Sequence, residues 1–99
     1  MADVFAHKVY TAVTTDDVLL APAPGKCLYL TDLLMSSQGL NEVTLKFGAN
    51  VLIGQYMPAD ADGRGFTFGS PLKGSPDESL SVSTATANPF SITVMGFQD

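Results

Sequence analysis

Tryptophan is absent from this chain, and cysteine and histidine occur once each, as Cys27 and His7. A single cysteine cannot close an intrachain disulfide, so stability has to come from packing. One Cys and one His cannot supply the ligands of a usual zinc site. Serine is plentiful, but a serine nucleophile needs a base, His7 lies near the start of the chain, and no G-x-S-x-G elbow occurs. With no Trp and only three Tyr, a sugar-stacking platform has little to build on. No catalytic residue is expected.

Positive charge is scarce as well. Five Lys and Arg stand against ten Asp and Glu, a net charge of −5. Lys8, Lys26, Lys46, Arg64 and Lys73 are scattered singly. Nucleic acids and anionic membrane surfaces are bound through clustered cations, so neither is an expected partner. No apolar run approaches the ~20 residues of a membrane helix. The opening MADVFAHKVY has no basic segment leading into an apolar one, so no secretory signal is expected, and synthesis and folding are placed in a cytoplasm.

What is present is apolar and neutral. The 99 residues are 45% hydrophobic and 15% charged, the balance of one folded domain rather than a disordered chain. Much of the surface must then be Ser, Thr, Ala and Gly, which costs little to desolvate against a partner.

Alternation of apolar and polar residues dominates. KVYTAVT (8–14) puts Val9, Thr11 and Val13 on one side and Tyr10 and Ala12 on the other. DVLLAP (17–22) stops at the turn PAPG, where proline removes donors and glycine permits positive φ. KCLYLTDLLM (26–35) is apolar on both faces and reads as a central strand, with Cys27 a buried, inert thiol. EVTLKFG (42–48) turns Val43, Leu45 and Phe47 inward, and NVLIGQYM (50–57) returns after a tight turn. FTFGSPL (66–72), SLSVSTA (79–85) and ANPFSITVMGFQ (87–98) complete the set. In the last, Phe90, Ile92 and Val94 share one face, and Met95 and Phe97 share the other. About eight strands with turn signals every ten residues or so predict an all-β, single-domain antiparallel sandwich, a jelly roll by its strand number. Residues 1–7 form an N-terminal arm and residues 8–99 the sandwich.

Three groups invite chemistry. DADGRG (60–65) has Asp60, Asp62 and Gly65 where a calcium loop wants them. Arg64 in the fifth place, Pro71 in the twelfth and the lack of flanking helices exclude an EF-hand; a looser calcium site and a solvated turn both stay open. Asp16-Asp17 and Asp77-Glu78 are adjacent carboxylates of the kind a glycosidase needs. Both pairs sit at turns, where they cap backbone N–H groups and discourage edge-to-edge sticking. No metal or cofactor is expected.

Met95 and Phe97, opposite the inward residues of the last strand, and Tyr10 on the first belong either to a second sheet's core or to a subunit interface. Val4 and Phe5 join them as apolar residues of the arm, which otherwise is a disordered tail.

The order of these pieces resembles the small structural proteins of tailed bacteriophages. The resemblance runs over residues 8–97 and rests on the strand entry at Gly25-Lys26, on LLMSSQGLNEVTLKFGANVLIG, on the Asp/Gly loop, on ESLSVSTATA and on ITVMGF. It implies a jelly-roll capsid decoration (cement) protein, often trimeric, with the major capsid protein or another virion protein as partner. It also implies a place on the capsid surface after synthesis in the host cytoplasm. Two other readings stand beside it: a neck, baseplate or fibre module, and a carbohydrate- or calcium-binding β-module.

Overall fold

The computed structural model describes residues 1–57 and 64–99. Eight strands follow in chain order: β1 (Ala2–Tyr10), β2 (Thr14–Leu20), β3 (Leu28–Ser37), β4 (Asn41–Phe47), β5 (Asn50–Met57), β6 (Arg64–Lys73), β7 (Leu80–Thr84) and β8 (Phe90–Gln98). Alternation writes these strands, because a sheet buried on one face needs an apolar side chain at every second position. In β4 the residues Asn41, Val43, Leu45 and Phe47 are buried, and they alternate with exposed Glu42 and half-buried Thr44 and Lys46. Gly48, at φ 56°, turns the chain straight back into β5, with Phe47 opposite Asn50.

The strands form two four-stranded sheets, ordered β1-β8-β3-β6 and β2-β7-β4-β5. The pairings are nested: β1 with β8, β2 with β7, β3 with β6 and β4 with β5, all antiparallel. A long hairpin wound over itself, its rungs alternating between two sheets, is the jelly roll. The core lies between the sheets. Leu28, Leu30, Leu33, Met35, Phe90, Ile92 and Val94 come from one side, and Val43, Leu45, Phe47, Leu80 and Val82 from the other.

β3 lies inside its sheet between β8 and β6, the central place that its apolar run suggested. Its inward residues are spaced 28, 30, 33, 35 because a register shift at Thr31 resets the alternation. Gly96 faces this shift. A Cβ there would run into the Tyr29 carbonyl oxygen.

Two features of β1 differ from the sequence reading. The strand begins at Ala2 rather than Lys8, so Val4 and Phe5 lie in the sheet, paired with Gly96 and Met95. The strand also has the opposite phase. Val4, Ala6 and Tyr10 pack against the core, and Val9 is 60% exposed. Both faces of this segment carry apolar residues, so alternation alone could not say which side turns in.

Candidate interaction surface

The outward face of the sheet β1-β8-β3-β6 is built in rows by cross-strand register. Asp3, Phe97, Tyr29 and Lys73 lie side by side in the first row, and Phe5, Met95, Asp32 and Thr67 in the second. His7, Thr93, Leu34 and Gly65 form the third, and Val9, Ser91 and Ser36 the fourth. Direct neighbours on one face of an antiparallel pair are the units that interact.

In the first row the rings of Tyr29 and Phe97 stack at 4.6 Å between centroids, and the Lys73 ammonium lies 5.6 Å from the Tyr29 ring centre. In the second, Thr67 and Thr31 donate to the two oxygens of Asp32, each at 2.9 Å. In the third, His7 Nδ1 and the Thr93 hydroxyl are 2.8 Å apart. In the fourth, the hydroxyls of Ser36 and Ser91 meet at 2.6 Å. The polar groups are thus largely satisfied within the sheet. The apolar side chains are bare: Phe5 is 64% exposed, Leu34 54% and Met95 44%.

The outward face of the other sheet is different in kind. Lys46 pairs with Asp16 at 2.9 Å, and the Ser83 hydroxyl donates to the same carboxylate at 3.2 Å. Those two bonds hold the Asp16 carboxyl below its usual range. Ser81 and Thr44 line the rest, with Val18 and Val51 as the exposed apolar residues.

Of the five residues singled out from sequence, three share the outward face: Phe5, Met95 and Phe97. Val4 and Tyr10 stand on the inner side, where Tyr10 stacks on Phe90 at 6.4 Å. The sequence reading set Tyr10 opposite the inward residues, as a second sheet's core or an interface; its cross-strand partner is Phe90, an inward residue, and partners share a face. Leu34, Val9 and Tyr29 were missed as surface members. Their signal was visible as apolar excess in the first and third strands, but their side depends on β1's phase and on the shift at Thr31.

The carboxylate pairs separate. Asp16 turns to Lys46 and Ser83, whereas Asp17 accepts from Tyr10 at 2.6 Å and from Lys8 at 3.0 Å. They bind side chains of other strands rather than capping backbone. Asp77 and Glu78 do cap: Asp77 accepts from Gly25 N–H at 2.6 Å and Glu78 from Ser75 N–H at 3.2 Å. Neither pair is aimed at a common point. The Asp60 and Asp62 loop lies outside the described residues. Among the described residues no three His, Cys, Asp or Glu side chains gather as a metal site. A hollow of about 330 Å³ between Val9, Ser36, Gln38, Pro89, Phe90 and Ser91 has no charged side chain in its lining. Cys27 is buried.

No family model matches the sequence, and a search of curated proteins finds no match. Solved structures do share the fold. One is a chain in the acidic stable capsid structure of Helicobacter pylori bacteriophage KHP30, with a TM-score of 0.63 and 9% identity over 98% of this chain and 88% of that one. Another is a chain in the capsid asymmetric unit of cyanophage Pam1, with a TM-score of 0.53 and 10% identity over 96% and 82%. At these identities the likeness is one of fold.

Proposed function

We propose that this chain is a structural protein of a bacteriophage virion, and within the virion a decoration (cement) protein on the outside of the head. The observation that carries the reading is the fold likeness to chains of two phage capsids, with the coverages close to symmetrical. The matched chains are therefore small, of nearly this length, as a decorating subunit is. The bare apolar face around Phe5, Leu34 and Met95 fits that role.

The mechanism is burial. Exposed apolar surface contributes about 25 cal/mol per Å² when a partner covers it, and a satisfied, neutral surround costs little to desolvate. Such contacts, repeated over a shell, would clamp neighbouring capsid subunits without any chemistry. No activity as an enzyme is part of this reading.

The test is the copy number in purified particles of the phage that encodes the chain, by quantitative mass spectrometry. A head decoration follows shell symmetry and should be present in hundreds of copies, roughly, whereas a neck or fibre part is present in about a dozen or fewer. The second result would overturn the decoration reading. Heads stripped of the chain should also rupture at lower temperature, and added chain should restore them.

A further inference from the structure

Each sheet of a sandwich has two open edges, and an open edge offers unpaired N–H and C=O groups to another strand. Three of the four edges here are spoiled for pairing. β2 has two register shifts, Asp16 at φ 48°, and the Lys8 ammonium on its Val18 carbonyl at 3.0 Å. β5 carries a shift opposite Leu45 and Lys46. β6 runs from Thr67 to Leu72 while β3 moves only from Asp32 to Leu30, and that stretch includes Pro71, which has no N–H.

The fourth edge, β1, has none of these devices. Its nine residues pair with β8 without a shift, from Ala2 opposite Gln98 to Tyr10 opposite Phe90. Among the described residues, no side chain or loop bonds to its outward backbone edge. Its one lysine is drawn to Asp17 and the Val18 carbonyl. Phe5 and Val9, 64% and 60% exposed, stand on its outward face.

The geometry points to β1 as a strand-pairing edge whose occupant is β1 of a second copy, antiparallel about a two-fold axis at Phe5. The sequence of the strand is self-complementary in that register. Phe5 faces its own copy, an aromatic pair on the apolar side. Asp3 faces the partner copy's His7, and the contact occurs twice by symmetry. On the core side Val4 meets Ala6 and Lys8 meets Ala2, with no like charges opposed. The two four-stranded sheets become one of eight strands. Shifting the axis by one residue to Ala6 would set Val4 against Lys8 and Asp3 against Val9, which loses both pairings. A strand pairing with itself closes on a two-fold, so this contact makes a dimer where the sequence reading expected a trimer. The inference stands on edge geometry and is independent of the virion reading, whose test is copy number.

Sedimentation of the full chain over a concentration series tests it. The mass should rise toward twice 10.4 kDa. Phe5→Lys, which sets like charges face to face on an exposed position, should hold it at 10.4 kDa with the circular dichroism spectrum unchanged. Asp3→Lys should weaken the dimer at least several-fold, and adding His7→Glu should restore it. Phe5→Cys should oxidise to a covalent dimer, since facing residues of an antiparallel pair have Cα atoms about 4.5–5.5 Å apart, within disulfide reach. Val9→Cys should not. A monomer throughout, a trimer indifferent to Phe5→Lys, or equal cross-linking at both positions would overturn the proposal.

Discussion

Tyr10 donates its hydroxyl to the Asp17 carboxylate at 2.6 Å, a bond from the edge strand of one sheet to the edge strand of the other. Lys8 reaches the same oxygen at 3.0 Å. The pair ties the open side of the sandwich together, and the Tyr10 ring meanwhile covers Phe90. Tyr10→Phe keeps the ring and removes the bond. A hydrogen bond to a charged group contributes about 1.5–3 kcal/mol, and the half-exposed setting and the remaining Lys8 contact favour the lower end. The loss should appear as a lower urea midpoint with an unchanged slope.

The same contacts predict a stability plateau in pH. Tyr10 and Lys8 hold the Asp17 carboxyl below the ordinary 3.8, and Lys46 and Ser83 do the same for Asp16. A depressed folded-state pKa contributes stability above the unfolded value and loses it as pH falls through the folded one. The melting temperature should therefore drop below about pH 4. Burial, then the Asp17 bond, raises the Tyr10 phenol above the ordinary 10.0. That contribution is present below pH 10 and is lost as pH rises beyond it. Thermal scans across pH should show both flanks, and Tyr10→Phe should flatten the alkaline one.

Gly96→Ala should destabilise strongly. The added Cβ meets backbone at the Tyr29 carbonyl rather than a movable side-chain tip. The strands must part at a fully buried site in the middle of the sheet, at a cost of about 3 kcal/mol. Chemical denaturation measures it.

Phenylalanines on opposite faces should respond very unequally to truncation. Phe90, 1% exposed, fills the core, and Phe90→Ala should cost about 3–5 kcal/mol. Phe5→Ala, at dilutions where the chain is monomeric, should change folding stability by less than about 0.5 kcal/mol. A large effect of Phe5→Ala at such dilution would mean that the ring is buried in the monomer.

Strand content was legible because it is written locally. A period of two with proline and glycine between runs can be read from any ten residues, and seven of the eight strands lie close to where the pattern put them. The central place of β3 was legible too, from apolar residues on both faces. The first strand was not. VFAHKVYTAV carries apolar residues in both phases, and its start at Ala2 depends on pairing with a strand more than eighty residues away. The interaction surface suffered accordingly. Met95 and Phe97 could be set outward from their own strand, whereas Tyr10 and Val9 exchanged sides.

Composition and periodicity alone therefore determined that this is one domain of short antiparallel strands, poor in the residues that catalysis, zinc and nucleic acid require. They act through neighbours in the chain, or through simple counts. The nesting of the strands, the resetting of β3 at Thr31, the glycine demanded at position 96 and the choice of β1 as the unspoiled edge were decided only in three dimensions. Each depends on which distant backbone lies alongside, and loop closure and core packing settle that together, beyond the reach of any local pattern.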